Sequence, residues 1–199
     1  MLKNTGVLIL AGGRSSRMDF PKPWLKFDDG SNFLERIIHI YQKVGVTNIA
    51  TVVNSDFCKD PWVEKIEAIS KDCKVIPNDQ PDLVRLYSIQ LGLTHLQSDN
   101  IYIHNVDSPF VGAEMIANLA AAHTGSGVTI PVKEGRKGHP ILIGSDVKKT
   151  ILARYEEFNS LRDLIMEFEQ KLIDTEDDGI FVNINTPEQY KQLTGERIR

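Results

Sequence analysis

The chain has 199 residues, and 23 Lys and Arg against 27 Asp and Glu give it a formal net charge of −4. Its 41% apolar and 25% charged residues are ordinary for a globular protein and exclude wholesale disorder. A negative balance also argues against a nucleic-acid-coating protein, which needs a positive surface. A chain of this length can form one full core, and we expect one domain over residues 1–199.

Targeting and membrane signals are weak. The longest apolar run, residues 7–11, is far shorter than the ~20 residues that span a bilayer. It leads into Gly-Gly-Arg and not into a cleavage site for a signal peptide, so we predict a cytoplasmic protein without membrane association. Cys58 and Cys73 have no metal or redox spacing and are predicted to be free thiols. The oligomeric state is not indicated by any pattern.

The first half of the chain alternates predicted strands and helices. A continuous apolar strand over residues 6–11 precedes a helix that begins at the capping residue Asn32 and ends at Gly45. There follow a strand over 48–53, a helix capped by Asp60 that extends through residue 69, a strand over 74–77, a helix over 83–96 and a strand over 101–105.

The second half continues the alternation. Its predicted elements are a helix over 113–123, strands over 127–132 and 139–143, helices over 146–154 and 160–170, a strand over 180–184 and a helix over 186–193. The polar turn at 133–138 predicts a hairpin-like addition at one edge of the sheet. Strands separated by helices indicate right-handed βαβ units. We therefore predict a three-layer α/β/α, Rossmann-like fold around a mainly parallel sheet.

The loop after the first strand has the composition of an anion-binding site. It contains Leu10-Ala11-Gly12-Gly13-Arg14 and then Arg17, Lys22 and Lys26. Open α/β sheets bind ligands at the carboxyl ends of their strands, and paired glycines bring backbone N–H groups close to phosphate oxygens. Because residues 1–26 carry five cations against one acid, we predict a polyphosphate site. The spacings of a P-loop and of a dinucleotide fingerprint are both absent.

Two further strand ends carry oxygen ligands. Asp107-Ser108-Pro109 follows the strand over 101–105, and Pro109 cannot continue a central strand. Asp107 is therefore a candidate ligand for Mg²⁺, which takes one or two protein oxygens besides phosphates and waters; the alternative is a turn residue. Thr186-Pro187 is a good helix start whatever the function, but this does not account for Asn183 and Asn185.

These motifs resemble the MobA-like nucleotidyltransferases, the family of molybdenum-cofactor guanylyl- and cytidylyltransferases with the nucleotide-diphospho-sugar transferase fold. The matching patterns are L-A-G-G-x-S-x-R-M with a following Pro-Lys, D-x-P at 107–109, and [DN]-x-[DN]-T-P-E at 183–188. The resemblance covers nearly the whole chain. It implies Mg²⁺-dependent transfer of a nucleoside monophosphate from GTP or CTP to a phosphorylated small molecule, molybdopterin first of all, with release of pyrophosphate.

The resemblance also implies roles for individual residues. Arg17, Lys22 and Asp107 would be catalytic, and Asp107 with Asn185 would hold the metal ion. His139, in a Gly-His-Pro like that of the cytidylyltransferase branch, and Asn183 would face the acceptor, although a histidine beside proline also suits a structural role. The nucleotide would be bound by Leu10, Ala11, Gly12, Gly13, Arg14, Lys22, Asn54, Asn78, Asp79 and Ser88.

The chain departs from the family pattern at several positions. Asp19 stands where the family has glycine after the methionine, Gln189 stands where it has an acid, and residues 82–89 lack the glycines that let the backbone approach a base. These departures leave guanine and cytosine both open as the base. They also keep two alternatives: a sugar- or alditol-phosphate nucleotidyltransferase, and a nucleotide-binding protein with weak catalytic activity.

Overall fold

Strand β1 (Thr5–Ala11) lies inside an eight-stranded sheet in the computed structural model, which describes residues 2 and 4–194. Its parallel neighbours are β2 (Asn48–Asn54) and β4 (Asn100–Asn105), and β3 (Lys74–Asn78) pairs in parallel with β2. Nearly all of β1 is buried, because its alternate side chains face helices on both sides of the sheet. The carboxyl ends of these four strands therefore meet at one edge.

The other half of the sheet is mixed. β7 (Ile141–Ile143) pairs antiparallel with β4 and with β5 (Val128–Lys133), which forms a hairpin with β6 (Arg136–Lys137). β8 (Gln170–Asp174) runs parallel to β5. The hairpin-like addition predicted around 133–138 is thus present, and it extends the sheet beyond β4.

Helices cover both faces of the sheet. The described helices are α1 (Phe33–Lys43), α2 (Val63–Ile69), α3 (Arg85–Leu93), α4 (Ala113–Ala122), α5 (Ser145–Arg154), α6 (Leu161–Ile165) and α7 (Pro187–Thr194). One apolar cluster joins β1 to α1 and α4, and a second joins the opposite face to α3, α5 and α6. The predicted three-layer α/β/α fold is confirmed. No helix in the described part of the chain is long and apolar enough to cross a bilayer.

The start of α1 follows the sequence pattern closely. Asn32 Oδ1 accepts a hydrogen bond of 2.9 Å from Glu35 N, and Glu35 Oε2 accepts one of 2.8 Å from Asn32 N. This reciprocal pair is the predicted capping box. Gly45, with φ of +90°, follows the helix in the left-handed conformation that glycine adopts without a Cβ penalty. Cys58 and Cys73 are free thiols, as predicted.

The predicted helix boundaries are wrong at three places. Trp62, not Asp60, is the N-cap of α2, and Pro61 lies outside the helix. The helix predicted over 83–96 is shorter at both ends (Arg85–Leu93), and Val84, with ψ of 146°, is its non-helical N-cap. The helix predicted over 160–170 ends at Ile165, and the chain then turns into β8.

The predicted strand over 180–184 is also wrong. Residues Asp178–Phe181 form a single 3₁₀ turn, in which Asp177 Oδ1 accepts a hydrogen bond of 2.8 Å from Gly179 N. Ile180 and Ile184 are fully buried in the core of the first apolar cluster. Their spacing therefore reflects packing of an irregular segment and not pairing in the sheet.

Candidate active site

A cleft of about 390 Å³ opens at the carboxyl ends of β1 and β4. Its wall combines the first loop, the segment leading into α3, the end of β4 and the turn before α7. The lining residues are Leu10, Ala11, Gly12, Gly13, Ser15, Ser16, Arg17, Lys22, Pro81, Leu83, Arg85, Ser88, Asn105, Val106, Asp107 and Asn185. The edge of the sheet predicted to bind the ligand is thus the one that carries this cleft.

The first loop folds back on itself through Ser15. The carbonyl oxygen of Ser15 accepts a hydrogen bond of 2.8 Å from Met18 N, and the Oγ of Ser15 accepts one of 3.1 Å from Lys22 N. Met18 is buried and anchors the loop. Asp19 has a φ of +52°, a left-handed conformation that glycine adopts freely and that aspartate tolerates better than most residues. The family's glycine after the methionine therefore matches the backbone at this position.

At the centre of the cleft, one lysine contacts the side-chain oxygens of two other residues. Lys22 Nζ lies 3.1 Å from Asp107 Oδ2 and donates a hydrogen bond of 2.8 Å to Asn185 Oδ1. Arg17 Nη2 donates to the same Asn185 oxygen at 3.3 Å. The side chains of Lys22 and Asp107 are only 13% and 23% exposed. The structure thus brings together all four residues that the resemblance places at the reacting phosphates and the metal ion.

The end of β4 and the turn before α7 are tied to each other. Ile184 N donates a backbone hydrogen bond of 2.8 Å to the carbonyl oxygen of Asp107. Ser108 Oγ donates to Asn183 Oδ1 at 2.6 Å, while Asn183 Nδ2 donates to Phe181 O at 3.0 Å. Asn183, predicted to face the acceptor, is bonded to Ser108 and Phe181 instead and lines neither this cleft nor the neighbouring cavity that contains His139.

Gln189 completes the cap of α7. Its Oε1 accepts hydrogen bonds from Asn185 N at 2.7 Å and Thr186 N at 3.2 Å, and Gln189 N donates to Thr186 Oγ1 at 3.3 Å. The reciprocal pair is a capping box in which glutamine replaces the usual glutamate. The departure from the family's acid at this position thus keeps the cap and holds the backbone of Asn185.

Arg14 and Asn54 are two of the four predicted nucleotide-binding residues that do not line the cleft. Arg14 forms an exposed ion pair with Asp82, with Nε 2.7 Å from Oδ1; this pairing raises the pKa of the guanidinium, chiefly through the hydrogen bond. Asn54 is buried, and its Oδ1 accepts a hydrogen bond of 3.0 Å from Asp56 N. Asn54 therefore caps a short turn after β2 in this structure.

The end of β3 supports the cleft from behind. Asn78 is buried, donates from Nδ2 to Ser88 Oγ at 3.1 Å and accepts from Gln80 N at 2.8 Å. Ser88 lines the cleft, whereas Asp79 is exposed and lies outside its wall. A Cβ atom on Gly12 would lie 3.5 Å from Asn78 Nδ2, so Asn78 lies close to the first loop.

A second cavity of about 680 Å³ adjoins the cleft. Arg85 lines both, and the second wall adds three cations, Arg136, Lys137 and Arg162. His139 also lines it, and its Nδ1 is buried without a hydrogen-bond partner among the described residues. Burial, reinforced by the charge of Arg85, lowers the pKa of His139. A neutral imidazole beside cations suits contact with a polar or anionic ligand.

Arg85 is the residue that sequence reasoning missed. It is the first residue of α3, and its guanidinium donates a hydrogen bond to Asn105 Oδ1 at the end of β4. In the sequence, segment 82–89 differs from the family pattern in its lack of glycines. A cation at the start of a helix that follows a parallel strand is a signal that could have placed Arg85 at the ligand-binding edge.

Comparisons with known proteins agree with this geometry. A family model described as the MobA-like NTP transferase domain matches residues 7–172. A probable molybdenum cofactor guanylyltransferase from Bacillus cytotoxicus is 28% identical over 201 residues, which cover 96% of this chain and 97% of the relative. A nucleotidyl transferase structure from Methanothermobacter has a TM-score of 0.79 at 21% identity, with 96% of each chain covered.

One solved structure that resembles this chain contains a metal ion. The Mycobacterium tuberculosis protein Rv0371c in complex with manganese has a TM-score of 0.71 at 14% identity, and the match covers 96% of this chain and 98% of that one. At such identity the likeness concerns the fold. The family match over most of the chain, together with the cleft described above, shows that the protein belongs to the MobA-like NTP transferase family and is a nucleotidyltransferase.

Proposed function

We propose that the chain works as one domain that transfers GMP from GTP to the phosphate of a molybdopterin-type acceptor, releases pyrophosphate and depends on Mg²⁺. The observation that carries the proposal is the convergence of Lys22, Asp107 and Asn185 in the cleft at the end of β1. The name of the Bacillus cytotoxicus relative supports guanine as the base and the molybdenum cofactor as the acceptor.

The oxygen ligands in the cleft fit a magnesium ion. Asp107 Oδ2 and Asn185 Oδ1 both reach one ammonium group, so they already converge on a single cation. Within the described residues no cluster of three or more His, Cys, Asp or Glu side chains could hold a metal. A carboxylate plus an amide suits Mg²⁺, which takes most of its ligands from water and phosphates. Asp107 and Asn185 would hold the ion, which when bound neutralises charge on the phosphates.

The protein's own part in the reaction is alignment and charge stabilisation. Backbone N–H groups at Gly12 and Gly13 bind phosphate oxygens, and Arg17 and Lys22 stabilise negative charge on the transferring and leaving groups. An oxygen of the acceptor phosphate attacks the α-phosphorus of GTP as the bond to pyrophosphate breaks. Because that oxygen is already ionised near neutral pH, no side-chain base is needed. Arg85, which lines both cavities, keeps the acceptor phosphate next to the donor.

The test is pyrophosphate release by the purified protein with GTP or CTP, Mg²⁺ and a panel of acceptors. We expect release with GTP and molybdopterin, and a loss of about 100-fold or more in Asp107→Asn. Asp28→Asn, an exposed carboxylate outside the cleft wall, is the matched control. Release with sugar or alditol phosphates alone would establish the first alternative. Tight nucleotide binding without release for any acceptor would establish the second.

A further inference from the structure

Lys22 has an unusual environment for a lysine. Its Nζ lies 3.1 Å from Asp107 Oδ2 and 2.8 Å from Asn185 Oδ1, and only 13% of the side chain is exposed. Lysines usually keep the charged end of the side chain in water. The two oxygens proposed to hold the metal ion are therefore already joined by a cation that belongs to the chain itself.

The backbone of Lys22 is held in place while its side chain can move. Lys22 N donates to Ser15 Oγ at 3.1 Å, and the residue begins a short 3₁₀ turn whose other members, Pro23 and Trp24, are buried. The four-carbon stem beyond this anchor is flexible. The ammonium group can thus exchange one set of oxygen partners for another without rearrangement of the loop.

A metal ion and Lys22 compete for the same place. Mg²⁺ binds oxygen at about 2.1 Å, so an ion between Asp107 Oδ2 and Asn185 Oδ1 would lie against the ammonium group that now contacts both. Two cations in contact repel strongly where solvent is largely excluded. The ion can bind only when the ammonium group leaves. Phosphate oxygens in the cleft offer Lys22 a charge-assisted alternative.

We propose that Lys22 is a tethered counter-ion that closes the metal position in the nucleotide-free protein and opens it when a triphosphate draws the ammonium group away. This inference rests on the proposed function and adds an order of binding to it. Metal reaches Asp107 with the triphosphate or after it, and not before. Removal of the charge at residue 22 then raises the metal affinity of the nucleotide-free protein.

The test measures Mn²⁺ binding to the full chain without nucleotide, by the electron paramagnetic resonance signal of free Mn²⁺. We expect Lys22→Gln to bind Mn²⁺ at least about tenfold more tightly than wild type, the size of effect that a neighbouring charge has on proton binding. Arg17→Gln is the matched control, because it removes a cation that contacts Asn185 at 3.3 Å, whereas the ion pair with Asp107 is made by Lys22. For this control we expect a change of about twofold. A non-hydrolysable GTP analogue should tighten Mn²⁺ binding more in wild type than in Lys22→Gln.

Three results would overturn the inference. These are equal Mn²⁺ affinity in wild type and Lys22→Gln, an equal gain in Arg17→Gln, or tight binding in Lys22→Gln that survives the added change Asp107→Asn. Lys22→Met, which keeps the length of the stem, replaces Lys22→Gln if circular dichroism shows that variant unfolded. Because the binding assay involves no turnover, an intact Mn²⁺ effect without guanylyl transfer contradicts the proposed function and supports the counter-ion role.

Discussion

Ser108 Oγ donates a hydrogen bond of 2.6 Å to Asn183 Oδ1 and so joins the end of β4 to the turn before α7. Ser108 is fully buried. We expect Ser108→Ala to lower the free energy of unfolding by about 1 kcal/mol, because the amide oxygen of the partly buried Asn183 loses its donor. Urea denaturation measures this loss. Ser126→Ala, at an exposed serine, should change stability by less than about 0.5 kcal/mol, and similar losses in both variants would contradict the prediction.

Asn185 offers a direct test of the proposed metal site. We expect Asn185→Asp to lower the Mg²⁺ concentration that gives half-maximal activity by about tenfold, because a second carboxylate binds a hard cation better than an amide does. The measurement is initial rate of pyrophosphate release against Mg²⁺ concentration at saturating GTP. Asn118→Asp, at an exposed position of α4, controls for added negative charge. An unchanged Mg²⁺ requirement in Asn185→Asp would remove this residue from the ligand set.

His104 makes folding sensitive to acid. It is buried, and its Nε2 lies 2.9 Å from the carbonyl oxygen of Ser108, which can only accept, so Nδ1 accepts from the hydroxyl of Tyr41 at 2.9 Å. Burial lowers the pKa of His104 to about 4. The unfolded chain takes up a proton near pH 6.5, which the folded protein does not take up until about pH 4. The contribution of His104 to the free energy of unfolding is therefore fully present above pH 6.5 and is lost as the pH falls toward 4.

Urea denaturation at pH 7 and pH 5 measures this effect of His104. The histidine alone should account for a loss of about 2 kcal/mol between these two values. His104→Gln stays neutral throughout, so its stability should differ between the two pH values by about 2 kcal/mol less than that of wild type. Equal pH dependence in the two proteins would show that another group is responsible.

The parts of the fold that sequence predicted well are those whose signals are local. The capping box of Asn32 and Glu35 and the apolar run of β1 are each determined by neighbouring residues, and both are confirmed. β8 (Gln170–Asp174) was missed because it is a polar, largely exposed strand whose place depends on pairing with β5. Ile180 led to the wrong prediction of a strand over 180–184, because its burial comes from packing against residues distant in the sequence and not from pairing in the sheet.

The same distinction between local signals and distant contacts applies to the candidate site. The alternation of strands and helices was enough to place the ends of β1 and β4 at the ligand-binding edge, whereas a common site for Lys22 and Asp107 was implied by the family resemblance. The pairing of Arg14 with Asp82 and the inward turn of Asn183 depend on contacts between side chains far apart in the chain. A sequence motif specifies the residue type at a position but not the distant side chains that this residue contacts.

The backbone hydrogen bond from Ile184 to Asp107 brings together the two ends of the segment between these residues. That segment carries β5–β8 and supplies most of the wall of the second cavity. The segment can change in length and sequence without moving Asp107 or Asn185, because this hydrogen bond holds its two ends together. Under the proposed function, the acceptor and the nucleotide would therefore contact largely separate stretches of the chain, and Arg85 is the residue that lines both cavities.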